Sequence, residues 1–169
     1  MKEYLIIDGY NIINSWQNLN DLKSKNFEHA RDKLIDILSD LHGITETKII
    51  VVFDALNVKG GVESHETVGG IEVIFTQQGE TADTVIERLV GQLPSGSVIG
   101  VATSDWAEQR IVFGRGAYRL SARELYERVQ NARLYRNKYA SSGSREPMDL
   151  YSNLDEDTKD SLERLRRRK

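Results

Sequence analysis

The stretch KIIVVFD, Lys48 to Asp54, carries an apolar run that is continuous rather than alternating, and it ends abruptly on a carboxylate. A strand that is apolar on both faces must be covered on both faces, as happens in a parallel sheet between helical layers. Working outward, Tyr4 to Ile7 is a shorter run of the same kind, stopped by Asp8-Gly9. Ile71 to Phe75 (IEVIF) is a third, Val98 to Ala102 a fourth closed by Thr103-Ser104-Asp105, and Tyr118 to Leu120 a short fifth. Helical spacing separates them. Phe27 to Leu41 sets Ala30, Leu34, Ile37, Leu38 and Leu41 on one face, and Thr81 to Leu93 turns Val85, Ile86, Leu89 and Val90 inward. A helix from Trp106 to about Phe113, a Gly114-Arg115-Gly116 turn, and a helix opened by Ser121 with Glu124 as a capping box complete the series. The segment between Asp54 and Ile71 reads as a glycine-containing loop with charged residues. Strands alternating with helices predict an α/β fold with a mostly parallel central sheet.

A chain of 169 residues, 39% of them hydrophobic, supports one domain with a sizeable core. The segment Ala140 to Asp149 (ASSGSREPMD) breaks the pattern with serine, glycine and proline. The expected organisation is therefore a domain over residues 1–139 and a linker with a charged helix or tail over 140–169. Leu162 and Leu165 give that last helix, Leu154 to Arg168, only a thin apolar face. The absence of cysteine excludes disulfides, thiolate zinc sites and cysteine nucleophiles, and the histidines His29, His42 and His65 are scattered. MKEYLIIDGYN carries no apolar signal region and no segment has the length to span a bilayer, so the expectation is a soluble cytoplasmic protein without a membrane partner. A net charge of −3 argues against a polycationic DNA-coating protein, but arginines crowd Arg110 to Arg136 and the terminal LRRRK.

Four carboxylates stand where strands or loops meet helices: Asp8, Asp54, Asp83 and Asp105. The carboxyl ends of parallel strands share one edge, so the three that follow strands converge there, and Asp83 joins them if its helix starts at the same edge. Clustered like charges are costly unless a cation neutralises them, and oxygen-only ligands suit Mg²⁺ or Mn²⁺. Such an ion activates water and polarises a phosphate, which points to phosphodiester hydrolysis. Each aspartate also has an ordinary role. Asp8-Gly9 is a common turn, Asp83 suits a helix dipole behind a Thr81 cap, Asp105 suits a helix entry, and Asp54 a loop cap. Taken singly the ordinary role is favoured; placement of three at strand ends reverses that.

Asn11 either orients Asp8 or a water, or serves as the N-cap for a helix from Ile12 onward, and both readings stand. Glu80, three residues before Asp83, is a candidate direct or indirect ligand. Arg110, Arg115, Arg119 and Arg123 are candidates for binding RNA phosphates, since guanidinium forks grip phosphate oxygens, although a solvated surface is the commoner role for each. Trp16 and Trp106 either stack on bases or, more commonly, pack in the core. Gly69-Gly70 and Gly114-Arg115-Gly116 fit no nucleotide-binding fingerprint, so no organic cofactor is expected. Asp8-Gly9-Tyr10 lacks the second aspartate that an aspartyl phosphatase uses, which ranks that activity last.

LIIDGYNII, VVFDA, the Glu80-Thr81-Ala82-Asp83 motif and ATSD together resemble the NYN family of PIN-like ribonucleases, and within it the bacterial YacP-like branch. The resemblance runs in order from Tyr4 to about Tyr135, through VKG at Val58 to Gly60, EVIFT at Glu72 to Thr76 and SARELYE at Ser121 to Glu127. It implies a PIN-like three-layer α/β sandwich and Mg²⁺- or Mn²⁺-dependent RNA cleavage. Carried over by motif, Asp8, Asp83 and Asp105 form the acidic core, supported by Asn11, Asp54 and Glu80. It further implies an endoribonuclease that cuts messenger RNA in the A site of the translating ribosome. The competing expectation is a non-catalytic RNA- or ribosome-binding module on the same fold. Intact acidic motifs favour the enzyme, because a pure binder gains affinity by shedding negative charge beside a phosphate backbone.

Overall fold

The computed structural model describes residues 2–55, 61–104 and 116–142, with side chains described to residue 140. The elements run β1 (Glu3–Asp8), α1 (Gly9–Ser15), α2 (Gln17–Lys25), α3 (Phe27–Thr45), β2 (Lys48–Phe53), β3 (Ser64–Val68), β4 (Ile71–Phe75), α4 (Ala82–Gln92), β5 (Val98–Ala102), β6 (Tyr118–Leu120) and α5 (Ala122–Ser142). The strands form one sheet in the order β3-β4-β2-β1-β5-β6, parallel throughout except for the β3–β4 pair. The apolar runs are buried on both faces, as their continuity predicts. Leu5, Ile7, Ile49, Val51 and Phe53 pack with α1, α2, α3 and α5, whereas the intervening Ile6, Ile50 and Val52 pack with Ala82, Val85, Ile86 and Val90 of α4. The result is a three-layer sandwich in which each fully buried Ile or Leu contributes roughly 2 kcal/mol of transfer free energy.

Two helices start where local sequence caps them. Asn26 caps α3 by accepting from the backbone N–H groups of Glu28 and His29. Ser121 and Glu124 make the expected reciprocal box, Ser121 N to Glu124 Oε2 at 2.7 Å and Glu124 N to Ser121 Oγ at 3.2 Å. Three expectations need correction. The segment after Asp54 contains a strand, β3, whose five residues are all exposed and so give no apolar signal. It joins β4 through Gly69 and Gly70, both at positive φ, the two-residue turn that matches strand twist. Asp8-Gly9 is a helix start rather than a turn, with Asp8 and not Asn11 at the cap, and α2 follows with only Leu19 buried. Finally, α5 continues to Ser142, past the Ala140 at which the linker was expected.

The chain divides into two compact units, residues 1–134 and 135–169. In the first, the edge of the sheet where β1 begins is tied by Glu3, which accepts from Arg128, Tyr118 Oη and Thr47 Oγ1 at 2.8–3.0 Å. Gly100 makes this possible, since a Cβ there would meet the Tyr118 ring at 2.6 Å. In the described part of the second, the rings of Tyr135 and Tyr139 pack at 4.3 Å between centroids. Among the described residues no helix is long and apolar enough to cross a membrane. The expected helices at Trp106–Phe113 and Leu154–Arg168, and most of the Ala140–Asp149 segment, lie outside the described residues.

Candidate functional site

Strands β1, β2, β4 and β5 deliver their carboxyl ends to one edge of the sheet, and β1 has β2 on one side and β5 on the other, so the strand order reverses there. In open α/β sheets that reversal is where ligands bind. Asp8 closes β1, in register with Val52 of β2, and its Oδ1 accepts from Asn11 N at 3.1 Å as the cap of α1. Gly9 is needed at the next position because a Cβ there would run into the Phe53 ring. Asp54, one residue past β2, accepts at Oδ1 from the N–H of Ala82, the first residue of α4, at 2.5 Å. That bond draws the start of α4 to the same edge and sets Asp83 in its first turn, behind the Thr81 cap. Thr76, buried just past β4, extends the pairing by donating its N–H to Phe53 O and accepting from Ala55 N at Oγ1.

The electrostatics follow from this arrangement. Burial holds the Asp54 carboxyl above its ordinary value, the Ala82 hydrogen bond pulls it down, and the negative charge of Asp83 pushes it up again. Carboxylates partly buried at one strand edge suit a hard divalent cation with oxygen ligands. The donor chemistry of Asp8, Asp54 and Asp83 therefore fits Mg²⁺ or Mn²⁺. Among the described residues no three acidic or histidine side chains are gathered closely enough to hold an ion by themselves. Asp105, the fourth aspartate of the expected set, lies outside the described residues.

Asn11 bridges two elements. Its Oδ1 accepts from Ser104 N at 2.8 Å, so α1 holds the chain at the point where it leaves β5. Glu80 pairs through Oε1 with Arg88 at 3.0 Å, while its buried Oε2 has no hydrogen-bond partner among the described residues. Arg88 also pairs with Glu63, which in turn bonds His65. Arg119 is exposed on β6, and Arg123, exposed on α5, pairs with Glu127 at 2.9 Å. Arg110, Arg115 and Trp106 lie outside the described residues. Trp16 is buried, and its Nε1 donates to Ala122 O at 2.8 Å, so it packs rather than presenting a face to a base.

Two residues at the edge escaped the sequence reading. A cavity of about 160 Å³ beside Asp54 is lined by Tyr10, Arg31 and Thr76, among others. Arg31 lies over the Phe75 ring at 5.4 Å, and burial raises the Tyr10 phenol, with the Arg31 charge opposing. Arg31 follows Ala30 on the inward face of α3, and that position next to the helical stripe was the available signal.

The sequence profile described as the YacP-like NYN domain matches residues 5–167. The uncharacterized protein YacP of Bacillus subtilis (strain 168) is 48% identical over 129 residues, covering 76% of this chain and 75% of that protein. Two crystal structures of Rae1 (YacP) from Bacillus subtilis resemble this fold, each with a TM-score of 0.71 and 37% identity. One covers 98% of this chain and 95% of its own; the other, of a single-site mutant, covers 96% and 99%. The six-stranded, mostly parallel sheet with helices on both faces is the PIN-like α/β architecture.

Proposed function

The chain belongs to the YacP-like NYN domain family, and from that premise we propose that it is a divalent-metal-dependent endoribonuclease working at the carboxyl edge of the sheet. The observation that carries the reading is the hydrogen bond from the first N–H of α4 to Asp54, which brings Asp83 to the edge where Asp8 closes β1. Asp8, Asp54, Asp83 and Asp105 would hold Mg²⁺ or Mn²⁺, with Glu80 in support. A bound ion of this kind neutralises charge on the scissile phosphate and lowers the pKa of water beside it. Asn11 keeps the end of β5 against α1. Arg31, together with Arg110, Arg115, Arg119 and Arg123, supplies guanidinium groups for the phosphates flanking the cut. The family resemblance extends the proposal to messenger RNA in the A site of the translating ribosome, and to a cytoplasmic location.

One observation favours a second reading, that of an RNA- or ribosome-binding module without catalysis. Asp8 caps α1 and Asp54 accepts from the first N–H of α4, so both carboxylates have work in the fold. Asp83 separates the readings, because Asp83→Asn removes a charge without removing either cap. Incubate the protein and this variant with labelled single-stranded RNA, and with translating ribosomes, in Mn²⁺ or in chelator, and map the new ends. Cuts made by the unaltered protein in metal alone, reduced at least a hundredfold in the variant, are expected. Equal cutting by the variant, or cutting in chelator, overturns the metal-nuclease reading, and binding without cutting favours the module.

A further inference from the structure

A groove of about 710 Å³ opens beside the acidic edge, between the α1–α2 junction and the start of α5. Its lining combines the functions a nucleobase site needs. Tyr126 stands on the wall, 44% exposed, its ring nearly perpendicular to that of Trp16 at 5.4 Å. Trp16 is itself fixed, since its indole N–H is committed to Ala122 O. Gln17 and Asn18 bring exposed carboxamides, and Arg123 brings the one charged group among the described lining residues. Ser104 also lines the groove, and its backbone N–H is held by Asn11.

We propose that this groove is a nucleotide subsite for single-stranded RNA, taking the base next to the scissile phosphate against Tyr126. The inference rests on the nuclease reading and deepens it by naming how substrate is gripped. Three features select RNA. Ser104, on the groove wall, follows β5 at the carboxyl edge of the sheet and is bound there through its N–H to Asn11, three residues past Asp8. The one charged side chain among the described lining residues, Arg123, is held in an exposed pair with Glu127, which it can exchange for a phosphate. An exposed aromatic on a rigid backing is the element that single-strand binders use to stack bases, and the Gln17 and Asn18 amides can pair with a base edge. The aromatic face makes the grip tolerant of sequence, and the two amides make it discriminate.

The test uses the full-length protein and a 4-thiouridine-containing decaribonucleotide, with binding followed by fluorescence and contacts by photo-crosslinking. Tyr126→Leu keeps apolar packing on Trp16 but removes the ring, and is expected to weaken binding about tenfold, within the range for one base–aromatic stack. Tyr126→Phe keeps the ring and should bind within twofold of the unaltered protein, with the crosslink mapping to the start of α5. Gln17→Ala with Asn18→Ala should shift which base is preferred beside the cut. Unchanged affinity in Tyr126→Leu, with cutting intact, overturns the subsite and leaves the nuclease standing. No binding of the oligonucleotide by any form of the protein overturns the subsite and the nuclease reading together.

Discussion

Glu3 shows how much a single side chain carries in this fold. Its carboxylate takes hydrogen bonds from Arg128, Tyr118 and Thr47, joining the start of β1 to α5, β6 and the entry to β2. The Arg128 bond is the main reason its pKa lies below the ordinary 4.5, burial working against it. A group whose native pKa is depressed stabilises the fold fully above its unfolded value and loses that contribution as pH falls through the native value. Urea melts from pH 7 to pH 3 should therefore show an acid limb that Glu3→Gln flattens while lowering stability at pH 7. An unchanged limb would assign acid sensitivity to other carboxylates. The catalytic candidates divide by the same logic of local against distant partners. Asp8 and Asp54 were legible because each ends an apolar run, and Asp83 because it follows a cap. The bond from Ser104 to Asn11 was not, because its partners lie 93 residues apart and only the sheet brings them together.

At the scale of elements, the strands read from continuous apolar runs are the central ones, β1, β2, β4 and β5, and the short β6 was read beside them. β3 was illegible because an exposed edge strand has no reason to be apolar; its charged SHETV sequence instead discourages pairing with other chains. α2, with one buried residue, hides for a related reason, and α1 was offered only from Ile12 onward because a glycine chosen to clear Phe53 imitates a turn. The β3–β4 turn is where an element is most sensitive to one atom. Gly70 sits at φ +85, and a Cβ there would meet the His42 ring at 2.7 Å. Gly70→Ala should lower stability by about 1–2 kcal/mol, the usual strain of left-handed backbone in an L-residue. A denaturant midpoint equal to that of the unaltered protein would show that the turn can relax at no cost.

For the molecule as a whole, an ion held at the proposed site would link binding to folding. A ligand that binds only the native state at a hundred times its dissociation constant adds about 2.7 kcal/mol. Mn²⁺ should therefore raise the melting temperature by several degrees, chelator should reverse the rise, and Asp83→Asn should abolish most of it. A shift of the same size in the variant would place the ion elsewhere. The three-layer sandwich follows from the alternation of buried faces in β1 and β2, so the architecture was legible from two short runs. The same sheet order carries a consequence for synthesis. The first strand to be made is an interior one, and it must wait for β5 before its second flank is paired. The Glu3–Arg128 clasp spans 125 residues of chain. A half-made molecule therefore exposes one side of β1 until β5 has emerged, and the clasp on Glu3 waits for α5.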